Sequence, residues 1–306
     1  MIPDYQSIML PLLRHVSDKE EYKFRDIIEG LANKFGLTDE ERKELLPSGI
    51  QPIFQNRVGW AKTYLKKAGL IDTPKRATVT ITTRGLEILK KNLDSINVNF
   101  LKQFPEFVEF QTAKRGDEET ETETETTEEQ STQTPEETLE TAYQKIRKSL
   151  AQDLINRVMA LSPAFFERLV VELLVKMGYG GSIKDAGRAI GKSGDEGIDG
   201  TIKEDKLGLD IIYIQAKRWQ PGNVVGRPEL QKFVGALAGQ GAKKGIFITT
   251  SSFTRDALEY VPRNETKIVL LDGEQLAQLM IDYNLGVTSI SSYEVKRIDS
   301  DYFGEE

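Results

Sequence analysis

Between Thr112 and Glu137 the chain reads TAKRGDEETETETETTEEQSTQTPEE, a stretch with almost no apolar side chain. Such a segment cannot bury enough surface to offset the entropy of ordering its backbone. No single core can run through it, so the 306 residues divide into two folding units. The expectation is a domain over 1–111, a flexible, self-repelling acidic linker over 112–138 and a second domain over 139–306. Each flank is long enough to bury its own interior.

The same stretch accounts for the charge. The chain stands at −7, the wrong sign for a nucleic-acid binder at first sight. Residues 112–138 hold 10 acidic against 2 basic side chains, whereas 1–111 hold 15 against 17 and 139–306 hold 23 against 22. The excess sits in the linker, and basic faces remain open to both flanks. With no cysteine and one histidine, His15, the chain excludes disulfides, thiolate sites, a cysteine nucleophile and multi-histidine zinc sites. Any metal must be held by oxygen ligands. The opening MIPDYQSIML lacks a basic segment ahead of an apolar one, and no apolar run is long enough to span a bilayer. Neither a secretory leader nor a membrane span is expected, and the composition fits a reducing cytoplasm.

In the first flank, Ser17 with Glu20 and Thr38 with Glu41 have the S/T-x-x-E spacing of a helix start, so a helix is expected after each. A third helix is expected over 56–68, where Val58, Ala61, Leu65 and Ala68 form a buried stripe and Arg57, Trp60, Lys62, Lys66 and Lys67 occupy the other face. Past Gly69 and Pro74 a short β-like pair spans 75–82, beginning with Lys75 and Arg76, and a helix over 84–93 follows. Helix, helix, basic helix, wing is the order of a winged helix-turn-helix, a mainly α domain whose third helix enters the major groove. That reading makes Arg57, Trp60, Lys62, Lys66, Lys67, Lys75 and Arg76 the DNA-binding side chains, with Trp60 exposed and able to stack on a flipped base. A small helical protein-interaction domain is the alternative.

The second flank alternates helices and strands, the pattern of an α/β domain whose sheet is covered on both faces. Ser162-Pro163 starts a helix that Gly178 stops. Strands are expected over 198–202, 209–217, 244–249 and 267–271, with helices over 228–237, from about 254, and over 274–284. In the strand LDIIYIQAKRW, Ile212, Ile214 and Ala216 point to one face, and Tyr213, Gln215 and Lys217 to the other. In GIDGTI, Ile198, Gly200 and Ile202 share a face opposite Asp199. If these strands pair, an acid, an amide oxygen and an ammonium converge on one polar spot. Phosphodiester hydrolysis has a use for each. Asp199, the Gln215 oxygen and the Ala216 carbonyl suit a hard divalent cation. Lys217 can position or deprotonate a water and stabilise developing charge. A plain cross-strand ion pair between Asp199 and Lys217 is the alternative on spacing alone.

Five blocks, in order, carry a resemblance: FFERLVVELL with Met177-Gly-Tyr179 (165–179), GDEGIDG (194–200), QAKRW (215–219), GRPELQKFVGAL (226–237) and GIFITTSSFT (245–254). Together they resemble the catalytic domain of the Mrr family of restriction endonucleases, a branch of the PD-(D/E)XK nucleases. The first flank is similar to the winged-helix domain that accompanies it. The resemblance implies a restriction-endonuclease-like α/β fold with a mixed central sheet and a Mg²⁺ cofactor, with Mn²⁺ as an alternative ion. It implies Asp199 as the main metal-ligating carboxylate, Gln215 and Lys217 as its motif partners, and Glu167 as the acid on the first helix of the domain. Glutamine in place of the commoner acid removes one anionic ligand. Arg227 and Gln231 would contact phosphate. The implied substrate is methylated double-stranded DNA in a prokaryotic cytoplasm, at the nucleoid. Cutting both strands requires a homodimer or higher homo-oligomer. The other readings are a DNA-binding regulator with an inactive nuclease-like domain and a nuclease acting on junctions or repair intermediates.

The run AGRAIGKS (186–193) fits a relaxed phosphate-binding-loop pattern. SIKD ahead of it and GDEGIDG behind it are not the buried strand and the helix such a loop needs. No nucleotide cofactor is expected, and Arg188 and Lys192 are assigned to DNA backbone instead.

Overall fold

The computed structural model describes residues 1–112, 132–180, 197–205, 207–220, 222–261, 266–296, 298 and 302. Arg188, Lys192 and the whole glycine-rich run lie outside them, as do most of the acidic stretch and the first part of GDEGIDG. The described chain forms two compact units, built on Met1–Gln144 and Lys145–Lys296.

The first unit opens with a helix absent from the sequence expectation, α1 (Tyr5–His15), capped by the Asp4 carboxylate on the Gln6 and Ser7 amides at 2.9 and 3.0 Å. Its sides are apolar nearly all round and Pro11 lies inside it, so its sequence has no clean helical stripe. No helix starts at Ser17: the chain turns there, with Lys19 at φ 70° and the Asp18 side chain taking the Glu20 amide. The strand β1 (Tyr22–Lys23) then leads into α2 (Phe24–Lys34). The Thr38–Glu41 pair does form its box, the Glu41 amide on Thr38 at 3.2 Å and the Thr38 amide on Glu41 at 3.0 Å, and it starts α3 (Asp39–Lys43). The long basic helix, α4, covers Ile53–Lys67 and buries Val58, Ala61 and Leu65 completely, with Ala68 just past its end. Strands β2 (Ile71–Asp72) and β3 (Thr78–Ile81) follow, and β3 pairs antiparallel with both β1 and β2. The wing strand thus takes its partners from outside the 75–82 segment. Helices α5 (Thr83–Lys90), α6 (Val98–Leu101) and α7 (Pro105–Thr112) complete the core, where Phe107 and Leu101 are fully buried.

The next helix, α8, runs Pro135–Ala160, so the last residues of the segment read as linker are ordered. Thr134 and Glu137 cap its start reciprocally, the Thr134 amide on Glu137 at 2.7 Å and the Glu137 amide on Thr134 at 3.2 Å. This is the T-x-x-E spacing again, present in the sequence and lost within the acidic run.

In the second unit α9 (Pro163–Lys176) starts at Ser162, whose hydroxyl takes the Phe165 amide at 3.2 Å, and stops before Gly178 at φ 102°. The sheet has the order β4 (Gly200–Lys203), β5 (Ile211–Lys217), β6 (Lys244–Thr249), β7 (Lys267–Leu271). Its first pair is antiparallel and the other two are parallel, giving the mixed sheet expected. One face carries Ile202, Ile212, Ile214, Ile246 and Ile248 against α8, α9 and α12 (Gly273–Asp282). The other carries Tyr213 and Phe247 against α10 (Arg227–Gly239) and α11 (Arg255–Tyr260). Because both faces are covered, β6 is apolar in a continuous run, Gly245 to Ile248 all buried.

Candidate functional site

Strand pairing decides where the acid, amide and amine of the second unit meet. Gly200 lies opposite Ile214, and the ladder extends one residue further when the Asp199 amide donates to the Ile214 carbonyl at 2.9 Å. Asp199 is thereby set beside Gln215, and its carboxylate accepts the Ala216 amide at 2.7 Å. Just upstream Gly197 has φ 107°, and a Cβ on it would stand 3.1 Å from the Gln215 amide nitrogen. Left-handed backbone and close approach both call for glycine there. This turn also corrects the expected alternation. Ile198 precedes the pleat and packs with the Phe247 side, while Ile202 packs on the opposite face.

Gln215 is 4% exposed, and among the described residues its Oε1 is buried without a hydrogen-bond partner. A buried carbonyl oxygen left so costs about 1–3 kcal/mol. One carboxylate beside one unsatisfied amide oxygen, with the Ala216 carbonyl next along the same strand, is a donor set that fits a hard cation. Glu167 lies one turn into α9. Burial pushes its carboxyl above the ordinary value, the Asp199 charge pushes it further, and Lys217 pulls it down. Glu167, Asp199 and Lys217 therefore share one electrostatic neighbourhood. Among the described residues no three His, Asp or Glu side chains converge.

The exit of β5 is held by residues that sequence reasoning passed over. Thr249 lies across from Lys217 in the β6 register and is fully buried, and its hydroxyl donates to the Lys217 carbonyl at 2.9 Å. The Thr250 hydroxyl donates to the Trp219 carbonyl at 2.7 Å, and that of Ser251 to the Asn223 carbonyl at 2.6 Å. Three successive hydroxyls ending a buried apolar strand were the available signal. Arg218 reaches the Met159 carbonyl at 2.6 Å with its Nη1, while its Nε is buried without a partner among the described residues. Arg227, at the start of α10, lies over the Tyr260 ring at 5.0 Å and pairs with Asp256 at 3.6 Å, remaining 41% exposed. Gln231 is exposed one turn later.

In the first unit the expected DNA-binding side chains separate. Arg57 is only 17% exposed. It pairs with Glu137 at 2.8 Å and donates to the Ile2 and Pro3 carbonyls at 2.9 and 3.1 Å. Trp60, expected to be exposed, is part-buried, edge-on to Tyr64 at 5.5 Å, with its indole N–H on the Glu136 carboxylate. The reason is angular. At about 100° per residue, Arg57 and Lys66, nine residues apart, are half a turn out of phase and cannot share a face. Lys62 has its amine 4.1 Å from the Phe24 ring, and Lys67 lies 5.0 Å from that of Phe110. Lys66 bonds Thr73, and Lys75 pairs with Glu21 at 3.0 Å. Lys66, Lys67, Lys75 and Arg76 are exposed. Among the described residues no helix is long and apolar enough to cross a membrane.

A family model described as a restriction endonuclease matches residues 158–280, and one described as the Mrr N-terminal domain matches residues 5–91. The type IV methyl-directed restriction enzyme EcoKMrr of Escherichia coli (strain K12) is 38% identical over 307 residues, covering 99% of each chain. Among solved structures, the DNA modification-dependent restriction endonuclease AspBHI aligns over 45% of this chain and 36% of its own, at 19% identity and a TM-score of 0.35. The MspJI restriction endonuclease in complex with a 27-mer oligonucleotide aligns over 46% of this chain and 33% of its own, at 24% identity and a TM-score of 0.35.

Proposed function

The chain belongs to the Mrr family of restriction endonucleases, and from that premise we propose that it is a Mg²⁺-dependent endonuclease that hydrolyses duplex DNA carrying methylated bases. The observation that carries this reading is the Gln215 oxygen, buried and unpartnered beside the Asp199 carboxylate. Asp199, Gln215 and the Ala216 carbonyl would hold the ion, and Mn²⁺ fits the same oxygen donors. When bound, the ion supplies Lewis acidity toward water and neutralises charge on the phosphate. The rest falls to side chains. Lys217 positions the attacking water and balances the charge that develops on the phosphate oxygens. Glu167, its carboxyl raised above the ordinary value by burial and by the Asp199 charge, orients that water from the helix side.

The first unit, 1–111 in this reading, locates the target through its exposed cations, and the second cuts. Of the residues between them, Thr134, Glu136 and Glu137 belong to the first unit through Asn56, Trp60 and Arg57, so the tether lies ahead of them, and 139–306 forms the nuclease domain. Cleavage of both strands uses two catalytic centres, so the working form is a homodimer or higher homo-oligomer. Its place is the prokaryotic cytoplasm, at the nucleoid.

The test compares cutting of otherwise identical methylated and unmethylated plasmids, in Mg²⁺ or EDTA, by wild type, Asp199→Ala and Lys217→Ala. Cutting of the methylated plasmid alone, dependent on Mg²⁺ and reduced at least about a thousandfold in both variants, is expected. Binding without cutting on every substrate would turn the reading into that of a DNA-binding regulator.

A further inference from the structure

Gly59 stands in the middle of α4, where glycine weakens a helix relative to alanine. Among the described residues, a Cβ at this position would meet no atom within 4 Å, and no positive φ is involved. Gly85 in α5 is the contrast: a Cβ there would stand 2.2 Å from the Leu70 carbonyl oxygen, so packing explains that glycine.

The surroundings of Gly59 are specific. On the same face, at helical spacing, lie Gln55, Lys62, Thr63 and Lys66, none of them apolar. The Thr63 hydroxyl donates to the Gly59 carbonyl at 3.0 Å. Lys62 and Lys66 are one turn apart, and among the described residues neither pairs with a carboxylate. Burial pushes the Lys62 amine below its ordinary value and the Lys66 charge pushes it further, an arrangement that an anion relieves. Gly235 in α10 is equally bare but lacks this setting, because its neighbour Lys232 is paired with Glu229 at 2.7 Å.

We propose that the DNA-reading face of the first unit is Gln55, Gly59, Lys62 and Lys66, and that Gly59 is kept without a side chain so that the duplex can approach the α4 backbone closely. The inference rests on the nuclease reading for its occupant. Two amines suit phosphates, an amide at Gln55 suits a base edge, and a bare helix surface suits a groove. A face without an apolar side chain has nothing to form the core of a protein–protein contact. Arg57 and Trp60 lie outside it and serve the fold.

The experiment uses the full chain in EDTA, with methylated and unmethylated short duplexes, and reads binding by fluorescence anisotropy alongside thermal melting. Gly59→Ala should raise the melting temperature by a few degrees while weakening DNA binding about tenfold, and Gly59→Leu should weaken it further. Lys62→Ala with Lys66→Ala should lower the slope of binding against salt by about 2. Gly59→Ala that binds as tightly as wild type, or that melts lower, overturns the proposal and leaves the nuclease reading standing. Wild type that binds no duplex at all overturns both.

Discussion

Each unit contains a buried polar cluster, and the two clusters end in opposite states. Around Arg57 the polar atoms are used: the guanidinium meets Glu137 and two backbone carbonyls, and Thr134 donates to Asn56 at 2.6 Å. Around Asp199 the Gln215 oxygen is buried and, among the described residues, has no partner. The first arrangement is complete as it stands and stabilises the fold. The second is complete only with something added. Polar atoms in a protein interior are nearly always partnered, so the unpartnered one is the better pointer to a site.

The contrast can be broken at several points, beginning with the largest effect. Arg57→Ala strands Glu137, which is 8% exposed, and should cost about 3–5 kcal/mol in denaturant unfolding. The doubly apolar Arg57→Met with Glu137→Leu should recover most of that loss. If Arg57→Ala instead unfolds like wild type and loses DNA binding, Arg57 belongs to the interface after all. Gln215→Met removes the orphaned oxygen, so it should raise stability by about 1 kcal/mol while abolishing cleavage; a destabilised variant would show that the amide has a structural partner.

A smaller effect concerns Glu167, whose carboxyl is raised by burial, then by Asp199, against the pull of Lys217. A carboxyl raised in the folded state leaves stability intact below its unfolded value and reduces it as pH climbs through the folded one. Glu167→Gln should therefore raise the melting temperature at neutral pH and leave it unchanged below the carboxyl range. Equal shifts at both pH values would remove electrostatics as the cause. The smallest effect belongs to Lys75 and Glu21, a pair 72% and 41% exposed, where Glu21→Ala should change stability by no more than about 0.5 kcal/mol.

Legibility differed between the units for a physical reason. In the second, β6 and β7 fall on the residues expected, and Ser162, Pro163 and Gly178 bound α9 as read, because a local pattern of two to four residues fixes each of them. The path around Gly197 was not legible, since a single positive φ reverses which face Ile198 meets. In the first unit the stripe from Val58 to Ala68 is plain in the sequence, yet Arg57 and Trp60 read there as part of an open DNA-binding face. A helical wheel alone would have set Arg57 apart from Lys66. Its partner, 80 residues away in the chain, could not be found that way.

The sequence by itself determined the helix caps at Thr38 and Ser162 and the alternation that makes a sheet covered on both faces. These follow from residue type and short-range spacing, which act before any distant part of the chain is in place. Tertiary structure decided which charges are used up and which remain available. Arg57 and Lys66 carry the same charge on one helix, but only the positions of Glu137 and the Ile2 and Pro3 carbonyls make the first a structural residue and leave the second at the surface. Whether a polar group is satisfied depends on partners that folding brings from far along the chain, and no local pattern encodes them.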